Sequence, residues 1–214
     1  MYEDSWKMYL LVYSYSQFCH RGFRGEKNVK SFSAWKINRQ VSKKKNIEKS
    51  VILQKSTNME NKKKILYIDM DNVLVDFQYG LDQIPEDIKK KYEGDEDEIP
   101  GIFEKMIPMK GALEAVNKLK DKFDLYILST APWKNPGAWT HKIEWIQKYF
   151  GMEEGENPFY KKVIISHRKN LNKGDFLIDD RKENGAENFE GEWIQFRSEK
   201  FPDWKTVTEY LLNK

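Results

Sequence analysis

Four short polar pieces stand out by type and spacing: Asp69-Met70-Asp71-Asn72-Val73, Ser129-Thr130, Lys169 and Asp179-Asp180. Carboxylates gathered from two places in a chain repel one another unless a cation lies between them. Hard oxygen ligands with room for water and a phosphate suit Mg²⁺ better than zinc, which prefers nitrogen and sulfur. A carboxylate can attack phosphorus, dividing hydrolysis into formation and breakdown of an acyl phosphate. A second carboxylate two residues on can protonate the leaving oxygen and later activate water. A hydroxyl and an ammonium can hold phosphoryl oxygens and neutralise charge as it develops. A single Asp-x-Asp pair is common by chance; four pieces in this order are not.

These pieces need elements to position them, and the apolar runs supply such elements. Ile65-Leu66-Tyr67-Ile68 reads as a buried strand that stops at Asp69. Phe123 to Leu128 reads as a second, stopping at Ser129; Val163-Ile164-Ile165 is a third, Phe176-Leu177-Ile178 a fourth stopping at Asp179, and Glu192 to Phe196 a fifth. Between them, Leu113, Val116 and Leu119 recur at helical spacing over Gly111 to Lys120. Trp139, Ile143, Ile146 and Phe150 do so over about Ala138 to Tyr149, with Gly151 as a C-cap. A closing helix is expected from Pro202. Strands alternating with helices predict an α/β domain: a Rossmann-like parallel sheet covered by helices on both faces. Ligands then bind at the carboxyl ends of the strands, where Asp69, Ser129 and Asp179 all fall. Residues 77–108 are acidic and broken by Pro85, Pro100 and Pro108, so they read as short helices and loops inserted after the first strand.

Charge divides the chain. Residues 1–58 carry 12 Lys/Arg against 4 Asp/Glu, and residues 59–214 carry 25 against 30, so a net of +8 is followed by one of −5. The first segment has no clear period and reads as a basic extension of the reading frame, disordered or weakly folded, or an artefact of the start site. Met59 begins Met-Glu-Asn-Lys-Lys-Lys directly before the first strand and reads as the start of the compact domain, 59–214. Lys43-Lys44-Lys45 offers a basic arm for nucleic acid, against the ordinary reading of a solvated charge run. Nowhere are there the roughly 20 consecutive apolar residues that a membrane span needs. The lone Cys19 excludes an intramolecular disulfide and a multi-cysteine zinc site. A reducing, cytoplasmic location fits both observations.

The pieces together resemble the haloacid dehalogenase superfamily, and within it the 5′(3′)-deoxyribonucleotidase family of the cytosolic type. Asp-Met-Asp-Asn-Val-Leu-Val-Asp-Phe from Asp69 resembles the opening motif, Leu-Ser-Thr-Ala-Pro-Trp from Leu128 the second, and Leu-Ile-Asp-Asp-Arg from Leu177 the last. The resemblance covers about residues 63–200. It implies Asp69 as nucleophile and metal ligand, and Asp71 as acid/base with its backbone carbonyl on Mg²⁺. It further implies Asp179 as a third ligand supported by Asp180, with Ser129, Thr130 and Lys169 around the phosphate. Lys169, ten residues before Asp179, is preferred to Lys173. Phe77 and Phe103 are implied as walls of the substrate pocket, with packing of the cap onto the core as the alternative, and Trp133 is expected to wall the pocket because it follows the phosphate-binding loop.

Asn72 stands where glycine is common in such motifs and is expected to adopt positive φ in its place. The insert over about 77–108 forms a small helical cap without a tryptophan. The expected substrate is a 5′- or 3′-(deoxy)nucleoside monophosphate, in deoxyribonucleotide catabolism, with neither nucleic acid nor membrane as a partner; a homodimer is compatible with the sequence. A sugar phosphate is the alternative substrate, and a non-catalytic phosphate- or nucleotide-binding module the alternative of another class. His167 and His141 read as surface residues and Trp139 as core.

Overall fold

A computed structural model of the chain describes residues 62–214, with Lys49 besides. The rest of the basic segment 1–58, including Lys43-Lys44-Lys45, lies outside the described residues. Lys63–Lys214 forms one compact unit. Its elements are β1 (Lys64–Ile68), β2 (Val75–Asp76), α1 (Phe77–Asp82), α2 (Glu86–Lys91), β3 (Ile107–Pro108), α3 (Ala112–Leu119), β4 (Phe123–Ser129), α4 (Gly137–Phe150), β5 (Val163–Ile165), β6 (Phe176–Asp179), β7 (Glu192–Gln195) and α5 (Trp204–Leu212). No helix among the described residues is long and apolar enough to cross a membrane.

Five strands form a parallel sheet in the order β5-β4-β1-β6-β7. The central β1 pairs Ile68 with Ile127 on one side and Ile178 on the other. This register carries Asp69, Ser129 and Asp179 to the same edge of the sheet. Successive side chains alternate between faces. Leu66, Ile68, Leu125, Ile127 and Ile178 join a large core with Val116 and Leu119 of α3, Trp145 and Ile146 of α4, and Val207 and Leu211 of α5. Tyr67, Leu128 and Leu177 face the other way, into a smaller cluster closed by Ala186 and Phe189. The helices expected on both faces therefore contribute their buried apolar residues to one core. Among the described residues the second face is covered by a 3-10 turn at Ala186–Asn188 and by aromatic packing, Phe189 meeting Tyr67 edge-on at 5.9 Å.

Helix α4 is phased differently from its expected apolar stripe. Ala138, Lys142, Trp145 and Ile146 are its buried residues, while Trp139 is 43% exposed and Ile143 38%. Trp145 decides the phase: its ring packs at a tilt against Tyr149, 4.6 Å between centroids, and its indole N–H donates to the Met106 carbonyl at 3.0 Å. Gly151 (φ 94°) ends the helix as its sequence suggests.

Residues 77–108 form an insert closed at its base by β2 and β3, two-residue strands paired antiparallel (Val75 with Pro108, Asp76 with Ile107). Asp76 caps α1 by accepting from the Tyr79 amide at 3.0 Å. Two 3-10 turns, Glu96–Glu98 and Ile102–Lys105, complete it. Ile99, Ile102, Phe103 and Met106 are buried in the large core, so the insert packs onto the sheet domain rather than projecting from it.

Candidate active site

Asp69 leaves β1 with its amide donating to the Ile178 carbonyl of β6 at 2.9 Å. The chain then turns sharply, and the amides of Val73, Leu74 and Val75 all converge on the Met70 carbonyl at 3.1, 2.9 and 2.9 Å. That turn needs a residue at positive φ, and Asn72 supplies it at 57°. The indole of Trp204 in α5 pins the same loop by donating to the Val73 carbonyl at 2.8 Å.

The structure brings Asp69, Asp71, Ser129, Lys169, Asp179 and Asp180 together at the strand ends. Lys169 is buried, with its ammonium 3.1 Å from Asp69 Oδ1 and hydrogen-bonded to Asp179 Oδ2. Lys173 is exposed. Burial alone would pull the Lys169 amine down, but the Asp69 and Asp179 carboxylates hold it above the usual lysine value. Asp179 also accepts from the Arg181 amide at 3.1 Å. Even so, burial, with the Asp69 charge adding to it, pushes its carboxyl up to about 7. Burial raises Asp180 likewise, again with Asp69 contributing.

One oxygen each of Asp69, Asp179 and Asp180 lie within 4.8 Å of one another. Asp69 Oδ1, which meets Lys169 outside hydrogen-bond geometry, and Asp180 Oδ1 have no hydrogen-bond partner. Three hard oxygens at that spacing fit a divalent cation whose ligands sit about 2.0–2.1 Å away. Asp180, expected only as support, therefore belongs to the same carboxylate group, whereas the Asp71 carboxylate turns elsewhere.

Asp71 faces a residue that the sequence did not single out. Lys142, buried in the middle of α4, places Nζ 2.7 Å from both Asp71 oxygens and 3.2 Å from Ser129 Oγ. Burial pushes the Asp71 carboxyl up; Lys142 opposes this and Asp69 adds to it. Ser129 is fully buried, its carbonyl accepting from the Ser166 amide at 2.8 Å, and Thr130 beside it is half-buried.

The three aromatic positions differ. Trp133 stands 85% exposed on the loop after β4. Phe77 is half-buried, with its ring 6.1 Å from that of Phe103. Phe103 is in the core, 2% exposed, with the Lys142 ammonium 4.6 Å from its centroid. His167 and Arg168 are exposed. His141, expected at the surface, is largely covered and meets Glu104 of the insert at 2.9 Å.

A parallel α/β sheet with an acidic nest, a buried lysine and a serine at adjacent strand ends, and an insert after β1, is the arrangement that the sequence's resemblance to the haloacid dehalogenase class implies. Comparison with known proteins narrows the class. The family described as 5′ nucleotidase, deoxy (Pyrimidine), cytosolic type C protein matches residues 78–202, and the chain belongs to it. It is a 5′-nucleotidase-type phosphatase.

A protein of Vibrio phage KVP40 named "Putative 5′(3′)-deoxyribonucleotidase" is 50% identical over 169 residues, 79% of this chain and 96% of the phage protein. One of the same name from Staphylococcus aureus strain Mu50 is 32% identical over 123 residues, 53% of this chain and 64% of its own. A solved structure of the "putative HAD-hydrolase YfnB" of Bacillus subtilis, bound to magnesium, matches 71% of this chain and 99% of its own with a TM-score of 0.48 and 13% identity.

Proposed function

We propose that this chain hydrolyses 5′- or 3′-deoxynucleoside monophosphates to nucleoside and phosphate, by transfer of the phosphoryl group to Asp69. The observation that carries the reading is the convergence of Asp69, Asp71, Asp179 and Lys169 at the ends of adjacent strands, with Asp71 apart from the other carboxylates. The names borne by the phage and staphylococcal relatives favour a deoxynucleotide as substrate.

An Asp69 oxygen attacks phosphorus as the bond to the leaving oxygen breaks, and Asp71, protonated at the start, gives its proton to that oxygen. The nucleoside departs. Asp71, now a carboxylate, takes a proton from water as the water oxygen attacks the aspartyl phosphate, releasing phosphate and restoring both carboxyl groups. Ser129, Thr130 and Lys169 hold the phosphoryl oxygens meanwhile. Asp69, Asp179 and Asp180, with the Asp71 carbonyl, are the groups to hold Mg²⁺, which when bound neutralises the carboxylates and polarises the phosphoryl group. Phe77 and Trp133 wall the nucleoside side, with Phe103 packed behind Phe77. The same reading makes the chain a cytoplasmic enzyme of deoxyribonucleotide catabolism.

A sugar phosphate is the second reading. It is favoured by an insert that brings no tryptophan and buries Phe103, leaving little aromatic surface for a base. Phosphate release from a panel of nucleoside monophosphates and sugar phosphates, with and without Mg²⁺, tests both. Release is expected to require Mg²⁺, to be strongest on deoxynucleotides, and to fall by at least about 10³-fold in Asp69→Asn. Preference for sugar phosphates moves the substrate and keeps the chemistry. Nucleotide binding without turnover leaves a binding module.

A further inference from the structure

Lys142 is the most deeply buried cation among the described residues, 1% exposed, and it stands in the middle of a helix whose other buried residues are apolar or aromatic. Burying an ammonium is costly unless every proton finds a partner. Here two protons are directed at the two Asp71 oxygens and the third at Ser129 Oγ. On its remaining side lies the face of Phe103, from the insert. A residue needed only to fill this space would be served better by an apolar side chain of similar volume. The partners of Lys142 are instead a carboxylate and a hydroxyl at the ends of two different strands.

The geometry points to Lys142 as the positioning residue of Asp71: it fixes the acid/base carboxyl relative to the phosphate-holding Ser129. Phe103 fixes Lys142 in turn, so that the insert bears on proton transfer as well as on substrate choice. The inference rests on Asp71 being the acid/base, as proposed above. Without Lys142 the Asp71 carboxyl has no side-chain partner holding its plane, and a carboxyl free to rotate spends little time aligned with the leaving oxygen. The loss should appear only in steps where Asp71 moves a proton. These are departure of an alkoxide leaving group and attack of water on the aspartyl phosphate. Departure of 2,4-dinitrophenolate, which needs no proton, should be spared.

The experiment compares wild type, Lys142→Met, Phe103→Leu and Asp71→Asn in Mg²⁺, on thymidine 5′-monophosphate and on 2,4-dinitrophenyl phosphate, by steady-state and rapid-mixing kinetics. Lys142→Met should lose at least about 100-fold in kcat on the nucleotide, with KM changed less than about threefold. On the aryl phosphate it should give a burst of dinitrophenolate at close to the wild-type rate, followed by slow turnover. The burst amplitude counts correctly folded enzyme, so misfolding cannot imitate the pattern. Phe103→Leu should show the same pattern reduced to about three- to tenfold.

A slowed burst together with a raised KM on both substrates would make Lys142 a phosphate ligand and overturn the inference. Equal losses on both substrates without a burst, or unchanged nucleotide turnover, would overturn it as well. If Asp71→Asn keeps nucleotide turnover, the acid/base reading itself fails, independently of Lys142.

Discussion

At the strand ends, four carboxylates and two ammonium groups share a space almost closed to water: Asp69, Asp71 and Asp179 are each no more than 8% exposed, and Lys142 and Lys169 no more than 3%. In the insert, by contrast, the polar contacts to the sheet domain are mostly neutral and few. The Asn135 amide donates to the carbonyls of Asp97 and Ile99 at 3.0 Å each, Trp145 donates to Met106, and His141 meets a largely exposed Glu104. The first region is held by charges that cannot be removed singly without leaving their partners stranded. The second is held by apolar burial and hydrogen bonds whose loss is local. Such an arrangement can keep a charged floor fixed while its roof changes at small cost.

The sharpest way to break this contrast is to remove one floor charge. Lys169→Met leaves Asp69 and Asp179 buried side by side without their shared cation. Metal-free stability should fall by about 3–5 kcal/mol, read as a lower urea midpoint. Mg²⁺ at a hundredfold excess over its Kd should return about 2.7 kcal/mol, because it replaces the missing positive charge. A midpoint unmoved without metal would mean that the carboxylates are already neutral and that the floor is not held by charge.

The floor was also the more legible region. Asp69, Ser129 and Asp179 each end or follow an apolar run, so the strands announced where these three would meet, and Asn72 took the positive φ expected of it. Lys142 was hidden because a lysine on an amphipathic helix ordinarily lies on the solvated face. The stripe expected through Trp139, Ile143, Ile146 and Phe150 also looked as apolar as the buried one through Ala138, Trp145 and Ile146, with which it shares Ile146. Charge balance gave no signal either, since Mg²⁺ and Lys169 were already set against Asp69, Asp179 and Asp180, with Asp71 as an acid. The insert's anchors were illegible for another reason. β2 and β3 are two residues each, and Asn135 acts on backbone carbonyls, whose positions no residue pattern encodes.

A roof change should be smaller. Asn135→Ala removes the donor for two insert carbonyls at a buried position, which costs about 1–3 kcal/mol. The cost should be confined to the insert. Hydrogen exchange of amides 97–99 should accelerate while those of β1 and β6 stay protected, and KM for a nucleotide should rise while metal-free stability of the floor is kept. Equal acceleration in β1 would show that floor and roof open as one unit, against the contrast drawn here.

The smallest effect is expected away from both regions, where a charge sits near the surface. Glu192 of β7 accepts from the Tyr210 hydroxyl and meets Lys214 at 3.0 Å. Partial burial acts upward on its carboxyl, but the Tyr210 and Lys214 contacts outweigh it and hold the pKa below the usual glutamate value. A carboxyl depressed in the folded state adds stability above its unfolded pKa of about 4.3 and loses it as pH falls through the folded value. Tyr210→Phe removes one of the two contacts. It should therefore be less stable than wild type by a few tenths of a kcal/mol at pH 7, solvent screening keeping the figure small. That gap should narrow below about pH 4, where the carboxyl protonates in both proteins. Urea midpoints of the two proteins across pH 3–7 read it directly. A gap that widened on acidification would place the burial cost of Glu192 above its contacts and make this seam resemble the strand-end floor, where burial drives the carboxyls upward.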